Sequence, residues 1–239
     1  MIDFHSHFLP CIDDGSKSIE ESLEMLRLSS LQGVTKIIAT PHFYASLHTP
    51  QEWFKKRDKA FKSLAPYLTD AMPEIKLGAE VHYYEGMAQS QILSQLCIEN
   101  TSLILVEMPH EYWTSRMKSV IIDMSASSGI TVALAHIERY LSIQPADVWN
   151  EFKANGILLQ TNAEFFIHRR TRRKALRMLK NGSIDLLASD CHNTADRPPC
   201  LREAAEIIAK SLGNEFLDSF FNAEAGILRD SERKISAGK

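Results

Sequence analysis

The stretch ASDCHNTADRPP, residues 188–199, admits two readings that imply different enzymes. Taken from Cys191, a cysteine is followed six positions later by Arg197. That is the C-x5-R spacing of phosphatases in which a thiolate attacks phosphorus and an arginine clamps the oxygens. Taken from Asp190, the same letters give Asp-x-His, two metal ligands on either side of an idle cysteine. A thiol loop binds phosphate through successive backbone N–H groups, which favours glycine and an adjoining helix N-terminus. HNTAD has no glycine, Asp196 brings negative charge toward the dianion, and Pro198 removes an N–H directly after the arginine. In an extended segment Cys191 also points away from whatever Asp190 and His192 bind. With four cysteines and 27 Lys and Arg residues, one such match is easily met by chance. The metal reading is the stronger.

Outward from this stretch, short β-rich runs recur at 2–4 (IDF), 34–39 (VTKIIA), 75–81 (IKLGAEV), 102–107 (SLILVE), 130–135 (ITVALA), 157–161 (ILLQT) and 184–189 (IDLLAS). Segments with helical spacing lie between and after them, at 18–33, 50–65, 86–97, 114–128, 145–154, 169–181 and 199–212. In the first, Ser18 and Glu21 match a capping box and Gly33 is a stop signal. Alternating strands and helices joined by short loops predict parallel β/α units. Seven units, against eight in a complete barrel, predict an α/β fold of the closed or distorted TIM-like (β/α)7 kind. An open doubly wound sheet is the weaker alternative. The length, 239 residues, suits one such domain over 1–239, with the polar segment 228–239 expected as a solvated tail.

The histidines and acids fall on the strand ends. His5 and His7 follow the first run, His42 the second, Glu80 and Glu107 end the third and fourth, His136 follows the fifth, and Asp190 and His192 close the seventh. Asp14 sits in the loop past the first strand. In a parallel barrel all strands end on one face, where active sites assemble. A core has no packing reason to place an imidazole or carboxylate after six of seven strands. Crowded carboxylates repel one another and carry a desolvation penalty that divalent cations relieve. Mixed imidazole and carboxylate ligands suit manganese, iron or zinc better than calcium or magnesium. His48, His82, His110 and His168 lie off this pattern and are read as surface or supporting residues, with His110, in MPHEYW after Glu107, the first exception to consider.

The stretches MIDFHSHFLPCIDDGSKS, IIATPHF, LGAEVHYY, LILVEMP, ALAHIERY and LASDCHNTADRPP resemble the polymerase-and-histidinol-phosphatase (PHP) superfamily, and more narrowly its bacterial CpsB/CapC-type metal-dependent tyrosine-protein phosphatases. The resemblance spans residues 1–199 and implies a distorted TIM-like barrel of the PHP type, cytoplasmic, holding three metal ions, usually manganese. It implies His5, His7, Glu80 and Asp190 around one ion, a bridging Glu80 with Glu107 and His136 around a second, and Asp14, His42 and His192 around a third. It further implies that Arg139 and Arg197 grip phosphate oxygens. Cys11, Ile137 and Cys191 stand where that family commonly has glycine, proline and a small residue.

The expected chemistry is hydrolysis of phosphotyrosine by a metal-bound hydroxide, with the cations and both arginines spreading charge over the phosphoryl oxygens. A histidinol-phosphate phosphatase, or another phosphoesterase of the superfamily acting on nucleotides, is the nearest alternative. A non-catalytic, metal-stabilised binding module is the alternative of another class. Arg169, Arg170, Arg172 and Arg173 in HRRTRRK form a basic cluster after the sixth strand, a candidate dock for an acidic or phosphorylated tail. The resemblance supplies such a tail: the tyrosine-rich C-terminus of a bacterial tyrosine kinase controlling capsule or exopolysaccharide synthesis. A formal net charge of −3 argues against a general nucleic-acid partner, and no apolar run is long enough for membrane insertion. Cysteines without a pairing framework fit the cytoplasm. Self-association is open, with no interface legible.

Overall fold

A computed structural model describes residues 1–127 and 129–237. Residue 128, last of the expected fourth helix, and residues 238 and 239 of the expected tail lie outside the described residues. The strands are β1 (Ile2–Ser6), β2 (Lys36–Ala39), β3 (His42–Phe43), β4 (Glu74–Leu77), β5 (Glu80–His82), β6 (Leu103–Glu107), β7 (Thr131–Leu134), β8 (Leu158–Asn162) and β9 (Leu186–Ala188). The helices are α1 (Ile19–Leu31), α2 (Pro50–Leu64), α3 (Leu93–Leu96), α4 (Ser115–Ser127), α5 (Asp147–Ala154), α6 (Glu164–Ile167), α7 (Arg172–Lys180), α8 (Leu201–Leu212) and α9 (Asn214–Ala237).

Each apolar run expected as a strand is one. The second resumes beyond Pro41 as β3, and the third is broken at Gly78–Ala79 into β4 and β5. All pairings are parallel, in the orders β1-β2-β4 and β3-β5-β6-β7-β8-β9. Because β2 with β3 and β4 with β5 are single runs, the two sheets form one curled wall of seven strand positions. The wall closes at its carboxyl end. Asp190 N–H donates to His5 O (2.8 Å), His7 N–H to Cys191 O (2.8 Å), and Ser6 bridges Cys191 in parallel.

Below that bridge the seam between β9 and β1 is joined by side chains. Leu187 N–H donates to Glu224 Oε1 of α9 (2.6 Å), and Ser189 N–H to Asp3 Oδ1 of β1 (2.9 Å). Carboxyl oxygens thus satisfy strand N–H groups that a neighbouring strand would otherwise take.

Local signals set the helix ends. Ser18 caps α1 by accepting from Glu21 N–H, while the Glu21 carboxylate reaches Lys17 N–H rather than closing the expected box. Thr49 and Glu52 form a complete capping box on α2. The expectation of a solvated tail from residue 228 is corrected by α9, which runs helical to Ala237 with Leu228 and Ser231 buried. Ser102 N–H donates to Ser231 O (3.0 Å), and Glu232 pairs with Lys76 (3.1 Å). The buried stripe of this helix includes Glu224 and Ser231, so hydrophobic periodicity does not reveal it.

Candidate metal centre

The carboxyl ends of the strands bring together every residue marked as a ligand in the sequence. Glu80, on β5 and only 1% exposed, takes the middle. Its Oε2 lies 3.2 Å from His5 Nε2, 3.3 Å from His7 Nε2 and 2.9 Å from His42 Nδ1, and its Oε1 lies 2.8 Å from His136 Nε2. Glu107 Oε1 is 3.4 Å from the same His136 nitrogen. Asp190 Oδ1 stands 3.4 Å from His5 Nε2 and 3.5 Å from His7 Nε2. On the outer side, Asp14 Oδ1 lies 3.3 Å from His42 Nε2 and 3.5 Å from His192 Nε2.

Three groups among the described residues could each hold an ion: His7, Asp14, His42 and His192; His5, His7 and Asp190; His42, Glu80 and Glu107. The donor set fits divalent cations on a further observation. His42 Nδ1 and Glu80 Oε2 are buried and face each other across 2.9 Å as an ion pair, without the geometry of a regular hydrogen bond. Buried atoms of this kind carry a desolvation penalty unless something ligates them.

The backbone is bent to make this cluster. His136 (φ 33°) and Asp190 (φ 52°) occupy the left-handed region, unusual for residues with a Cβ and typical of functional sites. His136 is held there by its N–H donating to Gln160 Oε1 (2.8 Å). The pairing of β1 with β2 shifts between Asp3 and Ser6, a bulge of the kind that re-aims side chains. Gly15 is required in the Asp14 loop, because a Cβ there would lie 2.0 Å from His7 O.

Charge is balanced within the cluster. Burial works against ionised Glu80 and Asp190, yet His5 and the neighbouring imidazoles hold both carboxylates below their ordinary range. Burial likewise opposes the cationic forms of His7 and His42. Asp13 and Glu80 carry His7 up to about 9, and Asp14 and Glu80 carry His42 up to about 11. Protonated imidazoles here supply the positive charge that a cation would otherwise bring.

Several participants escaped the sequence reading. Asp13 Oδ2 bonds His7 Nδ1 (2.8 Å) and accepts from the backbone N–H of His42 (3.1 Å), fixing the His7 ring and the strand that carries His42. Its signal was the doubled acid of IDDG, of which only Asp14 was singled out. The sixth expected strand carries no acid or imidazole at its end. It supplies amides: Gln160 reaches His5 Nδ1 (3.4 Å) as well as His136, and Asn162 Nδ2 donates to Asp190 Oδ2 (2.7 Å). A buried Gln-Thr-Asn run in a strand was the available clue. His82, expected as a surface or supporting residue, does support Glu107 across 3.2 Å. His110 is exposed and meets Tyr140 at a ring distance of 6.2 Å.

Both marked arginines converge on the outer oxygen of Asp190. Arg139 Nη2 donates to Asp190 Oδ2 at 2.7 Å and Arg197 Nη2 at 2.6 Å. One carboxylate therefore faces the imidazoles with Oδ1 and two guanidinium groups with Oδ2. The arginine side chains are 39% and 35% exposed, so part of each fork reaches solvent. Beside them a cavity of about 190 Å3 is lined by Glu138, Asn162, Phe165 and His168. Of the basic cluster, Arg169, Arg170 and Arg173 are exposed. Arg172 departs from the docking expectation: its guanidinium donates to Phe166 O (3.0 Å) and Ile167 O (2.7 Å), closing the end of α6. Cys191 is fully buried, and burial followed by the nearby Asp3 pushes its thiol well above the ordinary range. A thiolate nucleophile needs the opposite environment.

The family profile described as Capsular polysaccharide synthesis, CpsB/CapC, matches residues 1–228. The chain belongs to the CpsB/CapC family. It is 31% identical over 232 residues to a tyrosine-protein phosphatase CpsB of Streptococcus agalactiae serotype III, covering 92% of this chain and 95% of that one. It is 28% identical over 229 residues to the tyrosine-protein phosphatase YwqE of Bacillus subtilis, covering 90% and 86%. Among solved structures it resembles one described with YwqE from Bacillus subtilis and CpsB from Streptococcus pneumoniae as unique metal-dependent tyrosine phosphatases. That match has a TM-score of 0.83 at 26% identity and covers 97% of this chain and 95% of the other. Cys11 stands at φ 57°, the left-handed conformation that glycine adopts most easily. Its Sγ donates to Lys17 O (2.9 Å), holding the turn that leads to Asp14.

Proposed function

We propose that this chain is a metal-dependent protein-tyrosine phosphatase, a hydrolase of phosphotyrosine, formed as a single PHP-type domain over the whole chain. The observation that carries the reading is Glu80, a buried carboxylate within 3.3 Å of four imidazoles. Family membership and the named activities of the relatives support it. The ligands are His5, His7, Asp14, His42, Glu80, Glu107, His136, Asp190 and His192, arranged for three divalent ions, manganese first and iron or zinc as alternatives. Bound there, such ions supply an acidified water and positive charge opposite the phosphoryl oxygens.

The chain's own residues do the remaining work. Arg139 and Arg197 offer planar forks beside Asp190, suited to two phosphoryl oxygens. Asp190 and Asn162 fix where those forks stand, so little reorganisation accompanies charge build-up. Asp13 orients the His7 ring, and Asp13 and Gln160 hold the backbone at His42 and His136. A phenol leaving group, with a pKa near ~10, needs less proton donation than an alkyl alcohol. Exposed Arg169, Arg170 and Arg173 flank His168 and Thr171, which line the arginine cavity, and positive charge there favours an acidic phosphotyrosine tail such as that of a bacterial tyrosine kinase. Among the described residues no helix is long and apolar enough to cross a membrane, and a cytoplasmic setting agrees with the free cysteines.

The test is turnover by Mn2+-supplemented protein on a phosphotyrosine peptide, histidinol phosphate and an oligonucleotide. Preference for the peptide is expected. Preference for histidinol phosphate or the oligonucleotide would move the protein to another branch of the superfamily.

A further inference from the structure

Two cavities flank the candidate metal centre. The arginine-side cavity is lined by Arg139 and Arg197 together with Glu138, Asn162, Phe165 and Asp190. The other, about 280 Å3, is bounded by Ile12, Asp13, Asp14, His42, Tyr44, Leu47 and His48. It shares Asp13, Asp14 and His42 with the imidazole cluster, and Ile12, Tyr44 and Leu47 are the apolar and aromatic side chains along it. Leu47 is 69% exposed, a large aliphatic side chain that no core packing explains. Tyr44 stands 5.4 Å from the His42 ring and 5.2 Å from the His82 ring, within the range of aromatic contact.

The segment carrying this rim is built rather than loose. Leu47 N–H and His48 N–H both donate to Tyr44 O (3.0 and 3.2 Å). The Thr49–Glu52 capping box anchors its far end, and Trp53 Nε1–H donates to His42 O (2.7 Å) at its near end. A cavity of this size is small for a ligand site and suits one ring. Phosphotyrosine joins an anionic head to an apolar ring, and at the mouth of this barrel Arg139 and Arg197 line one cavity while Ile12, Tyr44 and Leu47 line the other.

We infer that the cavity bounded by Ile12, Tyr44 and Leu47 receives the substrate's aromatic ring and is what favours aryl over alkyl phosphates. The inference rests on the phosphatase reading and adds where the ring lies. Leu47 is a specificity residue here, outside the metal ligands.

The experiment compares Mn2+-supplemented wild type, Leu47→Asn, Phe165→Leu and the distant surface variant Tyr67→Ala on phosphotyrosine, with inorganic phosphate as competitive inhibitor. Leu47→Asn is expected to raise KM about tenfold, the scale of one or two lost apolar contacts in a pocket. Its phosphate inhibition constant and kcat should stay within about twofold of wild type, as should every constant of Tyr67→Ala. An unchanged KM, or a KM and phosphate constant that rise together, overturns the ring assignment. A selective rise in Phe165→Leu with none in Leu47→Asn also overturns it, placing the ring in the arginine-side cavity. A wild type that binds phosphate but hydrolyses no phosphotyrosine instead sinks the phosphatase reading, and the ring pocket with it.

Discussion

Two groups of buried acids lie in this barrel, and their titration is shifted in opposite directions. At the carboxyl ends of the strands, Glu80 and Asp190 stay ionised although burial opposes it, because imidazoles and two arginines surround them. At the seam, Asp3 and Glu224 are equally buried but meet mainly neutral donors. Burial pushes Asp3 up to about 6 and Glu224 well above the ordinary range. The same side chains serve a charged site in one place and, in the other, a joint that favours the protonated form. The neighbouring cations make the difference, so burial alone does not mark an acid as functional.

The sharpest way to break this comparison is Glu80→Gln. Removing the central charge should lower kcat/KM on a phosphotyrosine peptide by roughly a thousandfold or more and deplete bound metal. Far-UV circular dichroism should remain that of the wild type. A variant with near-normal turnover would make the strand-end cluster structural. Arg139→Lys and Arg197→Lys come next. Each keeps the charge but loses the fork on Asp190, so kcat/KM should drop by about ten- to a hundredfold in steady-state assays.

Cys191→Ala should leave turnover within about threefold of wild type, and denaturant unfolding should show a loss of about 1–2 kcal/mol from the vacated core space. Inactivation by this change would restore the thiol reading. The smallest effect is at the seam. An Asp3 carboxyl that titrates at about 6 when folded, against an unfolded value of 3.8, holds extra protons between those limits. The stability they contribute is full below the unfolded value and is lost as pH rises through about 6. Glu224 shifts in the same direction. Glu224→Gln keeps an acceptor for Leu187 N–H and removes a carboxyl that must otherwise ionise beside Asp3. Thermal unfolding should therefore show the variant gaining on wild type as pH rises from 4 to 8, by about 1 kcal/mol or 2–4 °C at the upper end. A difference flat with pH would mean that Glu224 is not shifted upward at the seam.

The comparison also explains what was legible in the sequence. Strand positions were readable because continuous apolar runs bounded by turns survive in parallel sheets. The metal candidates were readable because one fold rule sends every strand end to one face, so His5 and Asp190 meet despite their separation in the chain. Asp13, Gln160 and Asn162 act through orientation, and nothing in their spacing separates them from ordinary polar residues. Asp3 and Glu224 were hidden for a related reason. One sits within the first apolar strand, and the other lies on a helix whose buried stripe is partly polar. Arg172 was misplaced because charge composition says nothing about which guanidinium turns back to cap a carbonyl.

The central claim is that the strand-end acids are kept ionised for cations. It is tested most directly by phosphotyrosine-peptide hydrolysis with chelator-stripped protein, with and without Mn2+ restored, on wild type and Cys191→Ala. The account predicts no turnover after stripping, recovery with Mn2+ in both proteins, and bound metal that tracks activity. Turnover that survives stripping and disappears with the thiol would contradict it.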